Sequence, residues 1–308
     1  MYKIAVSLGD INGVGIEIAL KAHEEICKFT EPIYCINEDL LTSALKILEV
    51  SKPANFKIYE CAENFKIKPG KISKKSGNFS FDSFDTAINL ALSKDVQAVV
   101  TMPISKEAWS KAGIKFVGHT DYLKHKFKQD AIMMMGCEEL FVGLYTDHIA
   151  LRDVFKEIKA KKIHKFLINF YENTKFERIG VLGLNPHASD NGVLGGSEEK
   201  QIQKAINLAN KELQKEIFIG PLVPDAAFNP RSLKNLNRLV AMYHDQGLAP
   251  LKALYFDKSI NASLNLPIIR TSVDHGTAFD IAYKGIADSS SYIEAVKFAV
   301  KLCKERNL

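Results

Sequence analysis

The chain is 308 residues long and poor in cysteine. Its five cysteines, at 27, 35, 61, 137 and 303, are odd in number and form no CxxC pair. That pattern implies a reduced, cytoplasmic protein without disulfides. Long apolar runs are missing too. None approaches the ~18 residues of a membrane span, and the N-terminus, MYKIAVSLGD, reads as a strand and turn, not as a signal peptide. Neither sign of charge dominates: 41 Lys and Arg stand against 36 Asp and Glu, a net +5 with the lysines spread along the chain. The densest basic run, KAKKIHK (Lys159 to Lys165), interleaves with Ile163, Phe166, Leu167 and Phe170 at helical spacing. It reads as the solvated face of an amphipathic helix, so neither a nucleic acid nor a membrane is an expected partner. Local signatures of nucleotide and metal sites are also absent. Gly9, Gly13 and Gly15 in GDINGVGIE do not follow the GxGxxG spacing, no Walker lysine follows them, and no HExxH occurs.

What remains is the text of a globular enzyme, 46% hydrophobic and 25% charged, long enough for one large α/β unit or two lobes sharing a cleft. YKIAVSL reads as a strand, GDINGVGIEIALKAHEEI as a turn feeding a helix, PIYCI as a strand and Glu38 to Val50 as a helix. This βαβα rhythm predicts a largely parallel sheet with helices on its faces. A helix marked by Phe81, Phe84, Ile88 and Leu92 leads to the buried run AVVT. IMMM, LFVGLYT, RIGVLGL and LVAMY are further strands. A helix capped by Ser197 and the two glutamates after it runs to about Leu213, and Tyr292 to Cys303 closes the chain as a helix. There are no repeats and no long linker, so two lobes would be joined by strands.

The groups suited to chemistry gather where strands end, the usual place for ligands in parallel sheets. GDINGVGIE has the strand–turn–helix context of a phosphate loop, but its spacing favours a tight packing turn. TMPISKEAW follows AVVT and offers Lys106 either as a substrate or proton-transfer group or as a solvent-facing lysine of a first helical turn. In GHTDYL, Thr120 or Asp121 could cap a helix, or His119 and Thr120 could donate hydrogen bonds to an anion at the helix start. His148, His187 and His244 each stand just beyond an apolar strand. Three neutral imidazoles suit Zn²⁺ or Co²⁺ and leave a coordination position for substrate, whereas unrelated loop histidines are the plainer reading. His23, His125 and His164 lie in lysine- or glutamate-rich helical text and read as surface residues. Lys252, Asn261 and Arg270 bring two cations and an amide, and arginine is a natural bidentate partner for carboxylate or phosphate.

Taken in order, SLGDINGVGIE, TMPISK, GHTDYL, YTDHIALRDV, GLNPHA, GPLVPDAAF, AMYHDQGLAPLK, NLPIIRTSVDHGTAFDIA and KGIAD span residues 7 to 288. In this set the sequence resembles the 4-hydroxythreonine-4-phosphate dehydrogenases of pyridoxal phosphate biosynthesis, and NPHA with YHDQG and RTSVDHGTA is specific to them. The resemblance implies a two-lobed αβα fold with a mixed, largely parallel sheet, similar to isocitrate and isopropylmalate dehydrogenases. It implies one lobe from residues 1–115 and 255–308 on the cofactor side, and a second from 116–254 carrying the metal and the dimer contacts, with a cleft between. A divalent metal (Zn, Co or Mg) would be held by His148, His187 and His244. Substrate would meet His119, Thr120, Lys252, Asn261 and Arg270. NAD or NADP would lie near His275, Gly276 and Thr277, which accounts for the missing dinucleotide fingerprint. Asp225, Asp245 and Lys106 are candidate proton carriers or groups that orient the histidines.

The implied reaction is metal-dependent oxidation and decarboxylation of 4-(phosphooxy)-L-threonine to 3-amino-2-oxopropyl phosphate, in homodimers with the site at the subunit interface. A dehydrogenase of another four-carbon hydroxy-acid phosphate, or a non-catalytic metal- or ligand-binding homologue, are the alternatives. The sequence departs from the family at Ile11-Asn12, at Asp147, at Ala150 and in a stretch after His187 that is one residue longer. None of these removes a candidate ligand.

Overall fold

The computed structural model describes residues 1–308. Strands and helices follow one another as β1 (Lys3–Ser7), α1 (Gly15–Ile26), β2 (Glu31–Cys35), α2 (Glu38–Leu48), β3 (Lys57–Tyr59), α3 (Lys74–Leu92), β4 (Ala98–Thr101), α4 (Lys106–Ala112) and α5 (His119–Phe127). They continue with β5 (Ile132–Cys137), β6 (Leu140–Leu144), α6 (Leu151–Glu157), α7 (Ala160–Thr174), β7 (Ile179–Leu182), α8 (Glu198–Leu213), β8 (Phe218–Leu222), α9 (Pro224–Ala227), α10 (Pro230–Leu233) and β9 (Arg238–Ala241). α11 (His244–Tyr255), β10 (Ile260–Leu264), β11 (Ile269–Val273) and α12 (Ser290–Glu305) complete the chain. The fold is α/β with largely parallel strand pairing, as the βαβα rhythm predicts.

The chain divides into two compact units, Met1–Ala131 with Ile260–Leu308, and Ile132–Ser259. The division expected after residue 115 therefore falls after 131, because α5 packs with its own unit: Leu123 is wholly buried in one cluster with Phe84 and Trp109.

In the first unit the strand order is β3-β2-β1-β4-β11-β10. Every pair is parallel except β10 with β11. β4 is buried at all four positions, so AVVT has no polar face to show and reads as a continuous apolar run. Side-chain caps start the helices around it: Asn37 accepts from Leu40 N at 2.8 Å, Ser73 from Ser76 N at 3.0 Å and Ser105 from Ala108 N at 3.1 Å.

The glycine-rich turn after β1 is a packing device, the plainer of its two readings. A Cβ on Gly15 would lie 2.3 Å from the Leu8 carbonyl oxygen, so only glycine lets α1 start this close to the strand. Asn12 crosslinks the turn to the 68–71 segment, accepting from Lys68 N at 2.9 Å and donating to Lys71 O at 2.6 Å. His23 overturns its surface reading. It is 1% exposed, with Nδ1 3.0 Å from the Tyr34 hydroxyl and Nε2 3.0 Å from the Ala54 carbonyl, so two partners make its burial affordable in helical text rich in glutamate.

In the second unit the order is β5-β6-β9-β7-β8. β6, β9, β7 and β8 run parallel and β5 pairs antiparallel with β6. α7 buries Ile163, Phe166, Leu167 and Phe170 and leaves Lys161, Lys162 and Lys165 exposed, so its lysines are the solvated face read from the spacing. α11 lies close on β6 and β9: a Cβ on Gly247 would meet Val142 Cγ1 at 2.7 Å and Ala241 Cβ at 2.9 Å. That close approach, with Leu248 and Leu251 buried in the core beneath, fixes where the helix begins.

Candidate active site

The second unit brings three histidine-bearing loops to one end of its sheet. His148 follows β6, His244 follows β9 and His187 follows β7, and these strands are neighbours in the order β6-β9-β7, all parallel. Their carboxyl ends are stitched together through one residue, the fully buried Met242. Its carbonyl accepts from the Thr146 hydroxyl at 2.7 Å and from Thr146 N at 3.3 Å, which ties the end of β6 to that of β9. Its N–H donates to Gln246 Oε1 at 2.7 Å, and Gln246 Nε2 donates to the Gly183 carbonyl at 2.7 Å, which ties in the end of β7.

The result is a paired imidazole site. The rings of His148 and His244 lie 5.4 Å apart, centre to centre, at 48°. Two imidazoles bound through nitrogen to one tetrahedral ion at ~2.0–2.1 Å put their ring centres about 5 Å apart, so the pair fits a shared divalent cation. His244 Nδ1 is 2.7 Å from Asp245 Oδ1, so the carboxylate engages that nitrogen and not Nε2. Asp147 Oδ1 accepts from the His148 main-chain N–H, so this unusual aspartate caps the loop.

His187 does not join the pair. No three His, Cys, Asp or Glu side chains of the chain converge as a metal site, so the structure assembles two of the three expected ligands. The reason is local. His187 stands exposed at the start of a turn, Pro186–Gly192, whose residues 187 to 191 are all left-handed. The Asp225-bearing α9 packs on that turn, with Asp225 itself exposed. Lys252, in the last turn of α11, holds its ammonium 5.8 Å from the centre of the Phe256 ring.

The first unit holds a second constellation around Arg270. This residue is 3% exposed, on β11, and no carboxylate touches it. Its guanidinium donates to Ser263 Oγ (2.9 Å), Thr101 Oγ1 (2.7 Å) and His119 Nδ1 (3.0 Å), while Nε has no partner. Burial pushes its pKa down to about 10, still cationic at neutral pH. A guanidinium has no acceptor, so His119 Nδ1 accepts and its buried, unpartnered Nε2 carries the proton. Burial, and then the adjacent guanidinium, push the His119 pKa well below the usual imidazole range, so this ring is a neutral donor. Phe84 and Trp109 pack on it at 4.3 and 5.8 Å.

His119 is the first residue of α5, after Gly118, which supplies no side-chain cap. Neither Thr120 nor Asp121 is therefore the cap; Asp121 Oδ2 accepts from Val117 N at 3.0 Å, and Thr120 is exposed. Lys106 opens α4, exposed, with its Cε 3.8 Å from where a Cβ on Gly118 would be. Asn261, on β10 beside β11, has a buried Oδ1 without a partner. Past β11, His275 Nδ1 donates to the Gly276 carbonyl at 2.9 Å, leaving a buried Nε2 free to accept, and the Thr277 carbonyl accepts from Val14 N at 3.1 Å. A Cβ on Gly276 would meet nothing within 4 Å, so the backbone here faces open space.

The Arg270 guanidinium is thus buried without a counter-ion, and Arg270 Nε, His119 Nε2, Asn261 Oδ1 and His275 Nε2 are among the buried polar atoms that lack a hydrogen-bond partner. Residues 28–299 match the family described as "Pyridoxal phosphate biosynthetic protein PdxA". The chain belongs to this family. It is therefore an enzyme of pyridoxal phosphate biosynthesis, and the resemblance read from the motifs holds. Among its relatives, the 4-hydroxythreonine-4-phosphate dehydrogenase of Campylobacter fetus is 67% identical over 301 residues, covering 98% of each chain. That of Sulfurimonas denitrificans is 58% identical over 300 residues, covering 97% of each. The crystal structure of a 4-hydroxythreonine-4-phosphate dehydrogenase from Burkholderia phymatum superimposes with a TM-score of 0.82 at 31% identity, covering 98% of each chain.

Sequence reasoning missed the groups that anchor the histidine-bearing loops. Gln246, two residues past His244, and Thr146, two before His148, were readable only as neighbours of histidines. Glu199 was read as part of a helix cap with Ser197, but Ser197 makes no capping bond and Glu199 bonds back to the His187 turn.

Proposed function

We propose that the chain oxidises and decarboxylates 4-(phosphooxy)-L-threonine to 3-amino-2-oxopropyl phosphate, using NAD or NADP and a divalent metal, in the route to pyridoxine 5'-phosphate. The observation that carries this reading is the buried Arg270 guanidinium, held by three neutral groups and no carboxylate, in a chain 67% identical to a dehydrogenase of that name. A cation desolvated without a counter-ion is stabilised by an anionic ligand, here a phosphate or carboxylate. Its free Nε and the His119 Nε2–H are the donors left for such a ligand.

The residues divide the work by chemistry. Arg270, His119, Thr120, Asn261 and Lys252 bind and orient substrate. His275, Gly276 and Thr277 line the nicotinamide cofactor, with Gly276 leaving room for close approach. His148 and His244, with His187, would hold the metal, and Asp245 orients His244. A divalent ion held there would supply Lewis-acid chemistry, acidifying the substrate hydroxyl and polarising a ketone. A nicotinamide cofactor bound beside His275, Gly276 and Thr277 would supply the hydride acceptor for the hydroxyl carbon, while the hydroxyl proton passes to a group of this chain. The carboxylate then leaves as carbon dioxide, its bonding pair stays on the α-carbon, and a proton restores that carbon. Asp225 and Lys106 are the groups of this chain left to carry those protons.

One chain gathers only two of the three histidines, and this supports a homodimer in which both subunits complete each site. The five cysteines are all free, and no helix is long and apolar enough to cross a membrane. Both suit a protein of the cytoplasm. The test is NADH or NADPH formation with 4-(phosphooxy)-L-threonine, before and after chelation, beside the α-hydroxy analogue. Turnover of the amino substrate that chelation abolishes supports the reading. Preference for the α-hydroxy compound replaces the substrate, and no turnover of either refutes it.

A further inference from the structure

The turn that carries His187 is built from residues that do not favour its shape. His187, Ala188, Ser189, Asp190 and Asn191 follow one another with φ between 43° and 62°, and none is glycine. L-residues reach this region only against steric resistance, and runs of them are not self-supporting. Burial does not hold the turn either. His187, Asp190 and Asn191 are exposed, and Ser189 alone is buried.

Beside its own main-chain bonds and the Ser189 hydroxyl near the Gly195 carbonyl, the turn is tied by one carboxylate from the next element. Glu199, in the first turn of α8, reaches back 10 to 15 residues. Its Oε1 accepts from the main-chain N–H of Leu184 at 3.1 Å and of Asn185 at 2.8 Å. Its Oε2 accepts from Asn185 Nδ2 at 2.8 Å and from the Ser189 hydroxyl at 2.6 Å. These partners bracket His187 on both sides, two and three residues before it and two after. Hydrogen bonds to a carboxylate are the stronger kind, and four on one group tie the entry of the turn to its middle.

We propose that Glu199 is a positioning residue for the reaction: it clamps the left-handed turn and so presents His187 in one orientation, before any ion binds. This rests on the reading of His187 as a metal ligand. Glu199 touches neither the imidazole nor the substrate groups; it acts through the backbone between Leu184 and Ser189. Its place near the start of α8 does not account for these bonds, because they serve the preceding loop.

Glu199→Ala and Glu199→Gln separate the possibilities. The glutamine keeps one oxygen for the two main-chain N–H groups, so it should rescue part of what alanine loses. In metal-free protein, amide exchange across residues 184–196 should accelerate at least about tenfold in Glu199→Ala and less in Glu199→Gln, with β1 and α12 unchanged. Co²⁺ affinity, followed by its visible absorption, should weaken about 10- to 100-fold in Glu199→Ala, the range typical of groups that orient metal ligands. Unchanged exchange in both variants overturns the clamp. Faster exchange with unchanged Co²⁺ affinity, where His187→Ala does weaken Co²⁺, overturns the positioning role. Undiminished Co²⁺ binding by His187→Ala refutes the metal reading beneath the proposal, and the exchange data keep that failure distinct from failure of the clamp. If Glu199→Ala does not fold, Glu199→Gln alone decides, by the same two measurements.

Discussion

Asp10 should make this protein less stable at neutral pH than its asparagine variant, and equally stable in acid. The carboxyl is 1% exposed, in the turn between β1 and α1. Oδ1 accepts from Asn12 N at 3.0 Å and Oδ2 from the Ser76 hydroxyl at 3.2 Å, and no cation opposes it. Burial pushes its pKa from 3.8 up to about 6, more than the two hydrogen bonds bring it down. Between those two values the folded protein keeps a proton that the unfolded chain has released. Stability from protonated Asp10 is therefore complete below about 3.8 and is lost as pH rises through about 6. The gap corresponds to ~3 kcal/mol, at ~1.4 kcal/mol per pH unit. Asp10→Asn avoids the loss and keeps the contacts: its carbonyl accepts from Asn12 N, and its amide donates to Ser76 Oγ, whose proton turns to the Ser73 carbonyl 3.1 Å away. At ~2.1 cal/mol/K per residue, a chain of 308 residues melts with an entropy near 650 cal/mol/K, so ~3 kcal/mol is about 4–5 °C. Melting both proteins from pH 4 to 7.5 measures it. The variant should gain that margin only as pH rises, and a difference in melting temperature that is constant with pH would refute the reasoning.

Four further outcomes follow from the site. Arg270→Lys keeps the charge but loses the planar fork, so kcat/KM should fall at least tenfold, and Arg270→Ala further; an unchanged kcat/KM in Arg270→Ala would make the residue purely structural. Gln246→Ala leaves the buried Met242 N–H without an acceptor and should cost about 2–3 kcal/mol in urea unfolding, whereas a change under ~0.5 kcal/mol would show that the strand ends do not depend on it. His148→Ala and His244→Ala should each abolish Co²⁺ binding in a direct titration; tight binding by either variant rejects the paired site. Mixing inactive His148→Ala and Arg270→Ala proteins should restore activity if those residues reach one site from different subunits, and a fully active monomer in sedimentation would reject a shared site.

Much of this was legible in the sequence, and the gaps have physical causes. Strands such as AVVT and RLVA announce themselves because they are short apolar runs rich in valine. β8, FIGPL, carries glycine and proline; β10, INASL, and β11, IRTSV, carry polar side chains into buried positions, so they escape a reading based on hydrophobic pattern. Arg270 lies buried in β11 because Ser263, Thr101 and His119 receive its hydrogen bonds, and that company spans 169 residues of sequence. The histidines at strand ends could be picked out one by one. That β6, β9 and β7 lie side by side could not, since β9 enters the sheet between strands that precede it in the chain. Glu199 stands in no recognised motif and Gln246 stands in YHDQG only as a neighbour of His244; the roles of both appear only when the loops they bind are placed.

Because the joins at Met242 use its peptide N–H and carbonyl, no substitution of its side chain removes them short of proline. The spacing of the histidine loops at their roots thus belongs to the sheet, not to the loops. Loop text beyond these roots is free to drift, lengthen or exchange residues without disturbing the joins. A designer grafting a different loop here should cut beyond Thr146, Gly183 and Gln246, and would inherit the anchoring unchanged.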